Sequence, residues 1–257
     1  MMKDEAVVLR LMDWSETSQI AVLLTERHGK VSAVAKGAKR QQPSTLARFS
    51  GGLELLTAGE ALWITKRSSE MVTLTEWDLG DGHWHLRRDL RAHRLGLYAA
   101  DVIHHLVTDH DPHPVAYGAL RVFLAGLGEV ERGDEGERER QAGLLRFHWD
   151  VVKDMGYEPI VDRDAETGEA LPVGAGAVGF SAAAGGVVGE GGGVGRWRVR
   201  RGTVGLLGRV AGGDGLGGEA VEDLERANRL MCVYVRALLD KELPTMGVLL
   251  GGDRAVR

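Results

Sequence analysis

Hydrophobic and polar residues alternate at two different periods along this chain, and the change falls near residue 82. Residues 5–12, 19–25 and 31–35 are apolar, partly β-branched runs. Turn formers separate them: Asp13-Trp14-Ser15-Glu16-Thr17-Ser18 in one case and His28-Gly29 in the other. Such runs read as strands. Residues 52–57 and 62–66 read as further strands with Gly59 between them. Residues 70–77 alternate, with Met71, Leu74 and Trp77 as the bulky members. Five or six short strands and no long helix in about 80 residues predict a small barrel or sandwich, and the OB-fold suits that size.

Beyond residue 82 the period becomes helical. Leu86, Leu90, Leu97, Ile103 and Leu106 predict a helix over 83–110, stopped by Asp111-Pro112-His113-Pro114. Pro114 suits the first turn of a second helix over 114–127. Residues 128–140 read as a charged connector, followed by a helix with Leu144, Leu145, His148, Val151, Val152 and Met155 inward and Gly156 past its end. Residues 168–218 hold 19 glycines, so few side chains to bury, and weakly ordered hairpins or loops are expected there. Residues 219–241 form a last amphipathic helix. The fold class is therefore α+β: a barrel domain over 1–80, a helical domain over 81–158, a Gly-rich insertion over 159–218, and a C-terminal helix within 219–257 that packs on the helical domain.

Composition narrows the function. The net charge of −5 argues against a general polyanion binder, yet leaves room for a local basic face. One cysteine, Cys232, allows neither an intramolecular disulfide nor a cysteine zinc site. With no apolar leader at Met1–Glu5 and no run long enough to span a membrane, a cytoplasmic protein with no membrane partner is expected.

Against the acidic total, the stretch between Glu26 and Glu54 carries Arg27, Lys30, Lys36, Lys39, Arg40 and Arg48 and no acid. Lys36, Lys39 and Arg40 end a strand and enter a loop with Gly37, where backbone can approach a phosphate closely. Cations there release counterions from a nucleic acid. Trp14, Phe49, Trp63 and Trp77 are the aromatics available for base stacking, though some must fill the core.

Other features carry less. Arg196, Arg198 and Arg200, with Arg201 after them, form either a second phosphate track or a solvated hairpin edge whose arginines oppose aggregation. Arg87, Arg91 and Arg94 border an apolar helix face; they suit an acidic peptide with a hydrophobic end, and more plainly a solvated face. Seven of nine histidines lie between His83 and His113, and the Asp101, His105, Asp109 spacing fits a metal, but no sharp ligand signature accompanies it. Gly174-Ala175-Gly176-Ala177-Val178-Gly179 matches a dinucleotide-binding pattern without the strand before or the helix after. No nucleophile elbow, phosphate-loop lysine or H-E-x-x-H occurs. Neither an enzyme nor a cofactor is expected.

The chain resembles the RecO family of bacterial recombination mediators. The resemblance rests on Trp14-Ser15-Glu16-Thr17-Ser18, Leu23-Leu24-Thr25-Glu26 with Gly29, and Ala35-Lys36-Gly37-Ala38-Lys39-Arg40. Leu86-Arg87-Arg88-Asp89-Leu90, Met155-Gly156-Tyr157-Glu158-Pro159, Phe180-Ser181 with Gly185-Gly186, and Asp240-Lys241-Glu242-Leu243 extend it. It implies an N-terminal OB-fold followed by a helical domain. It also implies binding of single- and double-stranded DNA, annealing of complementary strands, and loading of the RecA recombinase onto coated single strands. The implied partners are RecR and the acidic C-terminal tail of single-strand DNA-binding protein, with the protein cytoplasmic and nucleoid-associated. DNA contact carries over to Lys36, Lys39 and Arg40. The alternative is a protein-interaction scaffold with weak DNA binding. Many relatives carry a four-cysteine zinc site; here its places hold Asp162 to Thr167 and Val188-Gly189-Glu190-Gly191, which leaves 160–218 without a metal staple and expected to be looser.

Overall fold

A computed structural model describes residues 1–40, 42–65, 69, 71–128, 133–172, 176–189, 193 and 195–251. Contacts divide the chain into two compact units, Met1–Gly128 and Glu129–Arg257.

The first unit begins with strands β1 (Met2–Asp13), β2 (Gln19–Thr25) and β3 (Gly29–Ala35). They form an antiparallel meander with Asp13 opposite Gln19 and Thr25 opposite Gly29. A short helix α1 (Pro43–Arg48) and a two-residue strand β4 (Phe49–Ser50) follow, then β5 (Ala58–Ile64) and β6 (Val72–Asp81). β5 lies between β1 and β6, and β6 runs parallel to β3 through Ala33–Val72 and Ala35–Leu74. That last pairing closes five strands into a barrel of OB-fold order, which removes the exposed edges an open sheet would present. Ala6, Ala21, Ala33 and Ala61 keep parts of the barrel interior small, leaving volume for Trp63 and Trp77.

Two strand boundaries differ from the expectation. The runs 52–57 and 62–66 are not two strands divided by Gly59: one strand, β5, runs through it, and Lys66 lies outside the described residues. Gly59 is an interior strand residue because a Cβ there would sit 2.2 Å from the carbonyl oxygen of Asp78, so only glycine allows β5 and β6 to approach. The predicted strand over 70–77 becomes Val72–Asp81, with Glu70 outside the described residues.

The helix expected over 83–110 is divided. Trp84–Arg88 is a separate 3-10 turn, and Asp89 then caps α2 (Leu90–Leu106), its carboxylate accepting from the N–H groups of Arg91 and Ala92. Leu90 consequently lies in an exposed first turn, and the buried face runs through Leu95, Tyr98, Val102 and Ile103. Helix α3 (Pro114–Gly126) starts at its proline as predicted and buries Leu120, Phe123 and Leu124. The barrel and these helices are joined chemically. Arg10 pairs with Asp101 at 2.9 Å, and the Lys30 ammonium donates to the His104 carbonyl at 2.6 Å and pairs with Asp109 at 3.1 Å.

In the second unit, α4 (Asp134–Asp154) begins inside the stretch read as a connector. Asp134, Glu135 and Glu137 occupy its first turn, where acids favour the helix dipole. A three-stranded sheet follows, ordered β8-β7-β9, from β7 (Ala177–Ser181), β8 (Gly186–Val188) and β9 (Arg196–Arg200). Then come α5 (Arg201–Ala211), α6 (Val221–Leu239) and α7 (Gly247–Leu250). α4 and α6 share a buried polar chain: Asn228 donates to the backbone and side chain of Gln141, both at 2.8 Å, and accepts from His148 at 3.1 Å.

In its described part, the Gly-rich stretch holds the expected hairpin, β7–β8, and beyond the expectation a third strand and the helix α5. The glycines hide α5 from a reading by periodicity, yet Thr203, Leu206, Leu207 and Val210 form an inward stripe. Gly202, Gly205 and Gly208 face outward, where an added Cβ would meet nothing within 4 Å. Where relatives of the resembled family place zinc-binding cysteines, a carboxylate makes the link. Asp164 accepts from the N–H groups of Glu166 (2.8 Å) and Thr167 (3.1 Å) in its own turn, and from Gly189 (2.6 Å) at the end of β8. Both of its oxygens are therefore engaged, and among the described residues no three metal-binding side chains converge. The residues present do not fit a zinc ion.

Candidate nucleic-acid interface

The two loops at one end of the β1–β2 and β3–α1 connections are built as one wall. Ser15 and Ser18 form a tight turn in which Trp14 and Ser15 donate to the Ser18 carbonyl at 3.0 and 3.2 Å. The Ser18 hydroxyl accepts from the N–H of Gly37 at 3.2 Å, and the Thr17 carbonyl accepts from Lys39 at 3.1 Å. Gly37 has φ of +73°, the left-handed backbone that glycine adopts readily, and it turns the chain immediately after β3. α1 then returns Thr45 and Arg48 to the same place.

Between these loops lies a pocket of about 440 Å³ lined by Trp14, Ser15, Thr17, Ser18, Lys36, Gly37, Arg40, Thr45 and Arg48. Its lining holds three cations and no acid. Arg40 and Arg48 both converge on Gly37, within 3.7 and 3.9 Å of where its Cβ would stand. Arg48 also donates to the Lys36 carbonyl at 3.3 Å and lies over the ring of Phe49. Three positive side chains held near one another without an acid in the lining can attract an anion such as phosphate.

The other basic residues of this stretch go elsewhere. Lys39 turns out of the pocket to pair with Asp13. Arg27 donates to the buried carboxylate of Asp4 at 3.0 Å. Lys30 is only 9% exposed and is taken by Asp109 and the His104 carbonyl. So the structure brings Lys36, Arg40 and Arg48 together, sets Lys39 beside them, and keeps Arg27 and Lys30 for the fold. The aromatics sort as cleanly: Phe49, Trp63 and Trp77 are at most 3% exposed, whereas Trp14 is 58% exposed at the pocket wall. Sequence reasoning misses Thr45, because α1 has no apolar period to announce it; Pro43 at its first turn is the available signal.

In the second unit, β9 exposes Arg198 and Arg200 and buries Val199. Arg196 is engaged by Glu166 through both carboxylate oxygens, at 2.7 and 2.9 Å, and Arg201 opens α5 and donates to the Pro172 carbonyl. Arg198 and Arg200 border a cleft of about 460 Å³ floored by Trp197, Val199, Leu230 and Val233. Arg226, Arg229 and Arg236 reach the same cleft from α6, a contribution from distant sequence. Arg87, Arg91 and Arg94 do not share one helix: Arg87 sits on the 3-10 turn, paired with Glu54 and stacked on Trp84, while Arg91 and Arg94 are exposed on α2.

Two histidines of the cluster meet backbone carbonyls. His83 Nδ1 meets the Leu56 carbonyl at 2.6 Å and His85 Nε2 the Leu124 carbonyl at 2.9 Å. Of the acids spaced around His105, Asp101 pairs with Arg10 and Asp109 with Lys30. The dinucleotide-like motif begins at Gly174 and Ala175, which lie outside the described residues; Ala177–Gly179 belong to β7, which turns into β8 and not into a helix. No helix of the described residues is long and apolar enough to cross a membrane.

Comparison with known proteins agrees with this architecture. The N-terminal family model of recombination protein O matches residues 1–82, and the C-terminal one matches residues 87–246. The chain is 34% identical over 182 residues to the DNA repair protein RecO of Anaeromyxobacter dehalogenans, a match covering 71% of this chain and 66% of that protein. It is 33% identical over 185 residues to the DNA repair protein RecO of Rhodopirellula baltica, covering 72% and 64%. The Myxococcus xanthus protein of the same name is 31% identical over 159 residues, covering 62% and 60%. These matches span just under two-thirds of the relatives' length.

Proposed function

The chain belongs to the recombination protein O (RecO) family, and from that premise we propose that it acts in recombinational DNA repair as a DNA-binding mediator rather than an enzyme. In this reading it binds single- and double-stranded DNA, anneals complementary strands, and helps load the RecA recombinase onto coated single strands. RecR and the acidic tail of single-strand DNA-binding protein are its partners. The observation that carries the reading is the pocket on the barrel: Lys36, Arg40 and Arg48 converge around Gly37 with no acid in the lining. Annealing needs no catalytic group. It needs two polyanions brought together, and fixed cations lower that repulsion.

The test is charge reversal. Lys36→Glu combined with Arg40→Glu should lower affinity for both single strands and duplexes by roughly tenfold or more at moderate salt, and abolish strand annealing. Both side chains are exposed at a loop, so the fold should persist by circular dichroism. Binding and annealing equal to the wild type would overturn the site and favour a protein-interaction scaffold.

A further inference from the structure

The cations of the pocket act on phosphate, and a duplex and a single strand both offer phosphate. Lys36, Arg40 and Arg48 therefore give affinity without distinguishing the two. Trp14 is different in kind. It is the exposed aromatic of the pocket wall, and the barrel's Phe49, Trp63 and Trp77 are buried. A lone exposed aromatic on a surface calls for no explanation, but the turn that carries this one is held. The Trp14 backbone N–H donates to the Ser18 carbonyl, and the turn is tied to the Lys36–Arg40 loop through the Ser18 hydroxyl and the Thr17 carbonyl. The backbone that carries the indole is thus fixed beside the cations before any ligand arrives. A large planar ring next to a phosphate site matches a nucleotide whose base is free to leave its neighbours. In a duplex each base is already stacked and paired.

We propose that Trp14 is a stacking platform for one unpaired base, and that it makes this pocket a single-strand site within a protein that also holds duplex. The proposal rests on the DNA-binding reading above and deepens it: the cations set how tightly any strand is held, and Trp14 sets which strand is preferred. No bond is made or broken. The base ring replaces water over the indole while the flanking phosphate sits over Lys36, Arg40 and Arg48.

The experiment compares three labelled ligands of equal phosphate count by fluorescence anisotropy: an oligothymidylate, an abasic strand and a duplex. The wild-type chain should bind the oligothymidylate about fivefold or more tighter than the abasic strand, the lower end of what one stacked base supplies. Trp14→Ala should lose that preference and keep its duplex affinity; Trp14→Phe should retain most of the preference. Because the readout is a ratio within one protein sample, a reduced folded fraction cannot mimic it. The salt dependence of Trp14→Ala should equal that of the wild type, since stacking releases no counterions. Equal binding of thymidylate and abasic strands by the wild type overturns the proposal, as does a loss on duplex as large as the loss on single strand. The two readings fail separately. If Lys36→Glu with Arg40→Glu leaves binding intact, DNA contact at this pocket falls; if that variant collapses while the wild type ignores the base, stacking alone falls.

Discussion

At the scale of single residues, the fate of each cation depends on whether an acid lies within reach inside the fold. Asp4 is buried in β1, and burial alone would raise its carboxyl; hydrogen bonds from His28 and from the backbone and side chain of Arg27 outweigh that and hold it below the ordinary carboxylate range. The same bonds commit Arg27 to the fold. Nothing in the local sequence announces this, since Asp4 and Arg27 meet only when β1 and the β2–β3 hairpin come together. His148 shows a residue-scale effect that reads out in stability. It is fully buried between α4 and α6, and desolvation pushes its imidazole down to about 4 from the ordinary 6.5. A base whose folded pKa is lowered resists the proton that the unfolded chain accepts. Stability from this group is thus intact above about pH 6.5 and falls as the pH drops toward 4, by roughly 3 kcal/mol in all. Hydrogen exchange of the α4 and α6 amides in the intact chain should therefore accelerate between pH 7 and pH 4.5, after correction for intrinsic rates. In His148→Gln, which keeps a polar partner for Asn228, the change should be much smaller.

At the scale of elements, the sequence is readable wherever side chains report a period. The strands β1, β2 and β3 alternate or run apolar, and they stand within a few residues of their predicted places. α3 and α6 are equally plain, because proline opens the first and an unbroken apolar stripe defines the second. The failures are elements whose determinants are not hydrophobic. β5 continues through Gly59 because of a backbone approach to Asp78 that is set by β6. α4 starts early on charge near its N-terminus, and α5 is hidden by glycines that occupy its outer face. The segment 160–218 is the clearest case. Its expected looseness follows from the missing cysteines, whereas the Asp164 carboxylate spans the gap by joining its own turn to Gly189 and leaves Glu166 against Arg196. That carboxyl is held below its usual range by the Gly189 N–H first and by those of Glu166 and Thr167. Asp164→Asn, which keeps the shape but replaces an acceptor oxygen with a donor, should open this segment to limited proteolysis at least several-fold faster while the α4–α6 signals persist. A chelator should leave the wild type unchanged. Equal proteolysis of wild type and variant would show that the link does not hold the segment.

At the scale of the whole molecule, the proposed DNA binding requires this acidic chain to concentrate its free positive charge. Many basic residues here are paired: Arg10 with Asp101, Arg209 with Glu219, Arg226 with Asp223, Arg229 with Glu225 and Arg236 with Glu242. Lys36, Arg40 and Arg48 on the barrel, and Arg198 and Arg200 on β9, have no ion-pair partner among the described residues. The two groups lie in separate compact units, so each adds its own phosphates if it engages the strand. Salt dependence counts them. On single strands log K falls against log salt with a slope of roughly −0.7 per phosphate. The barrel cations alone predict a slope of about −2, and both groups together about −3.5. Under the two-track reading the intact chain should give the steeper value. Arg198→Ala with Arg200→Ala should then bring it back by about 1.4, while leaving the preference for a base over an abasic site untouched. A wild-type slope near −2 that this double variant does not alter would assign the β9 arginines to solvation of a sheet edge and leave the barrel pocket as the whole of the DNA contact.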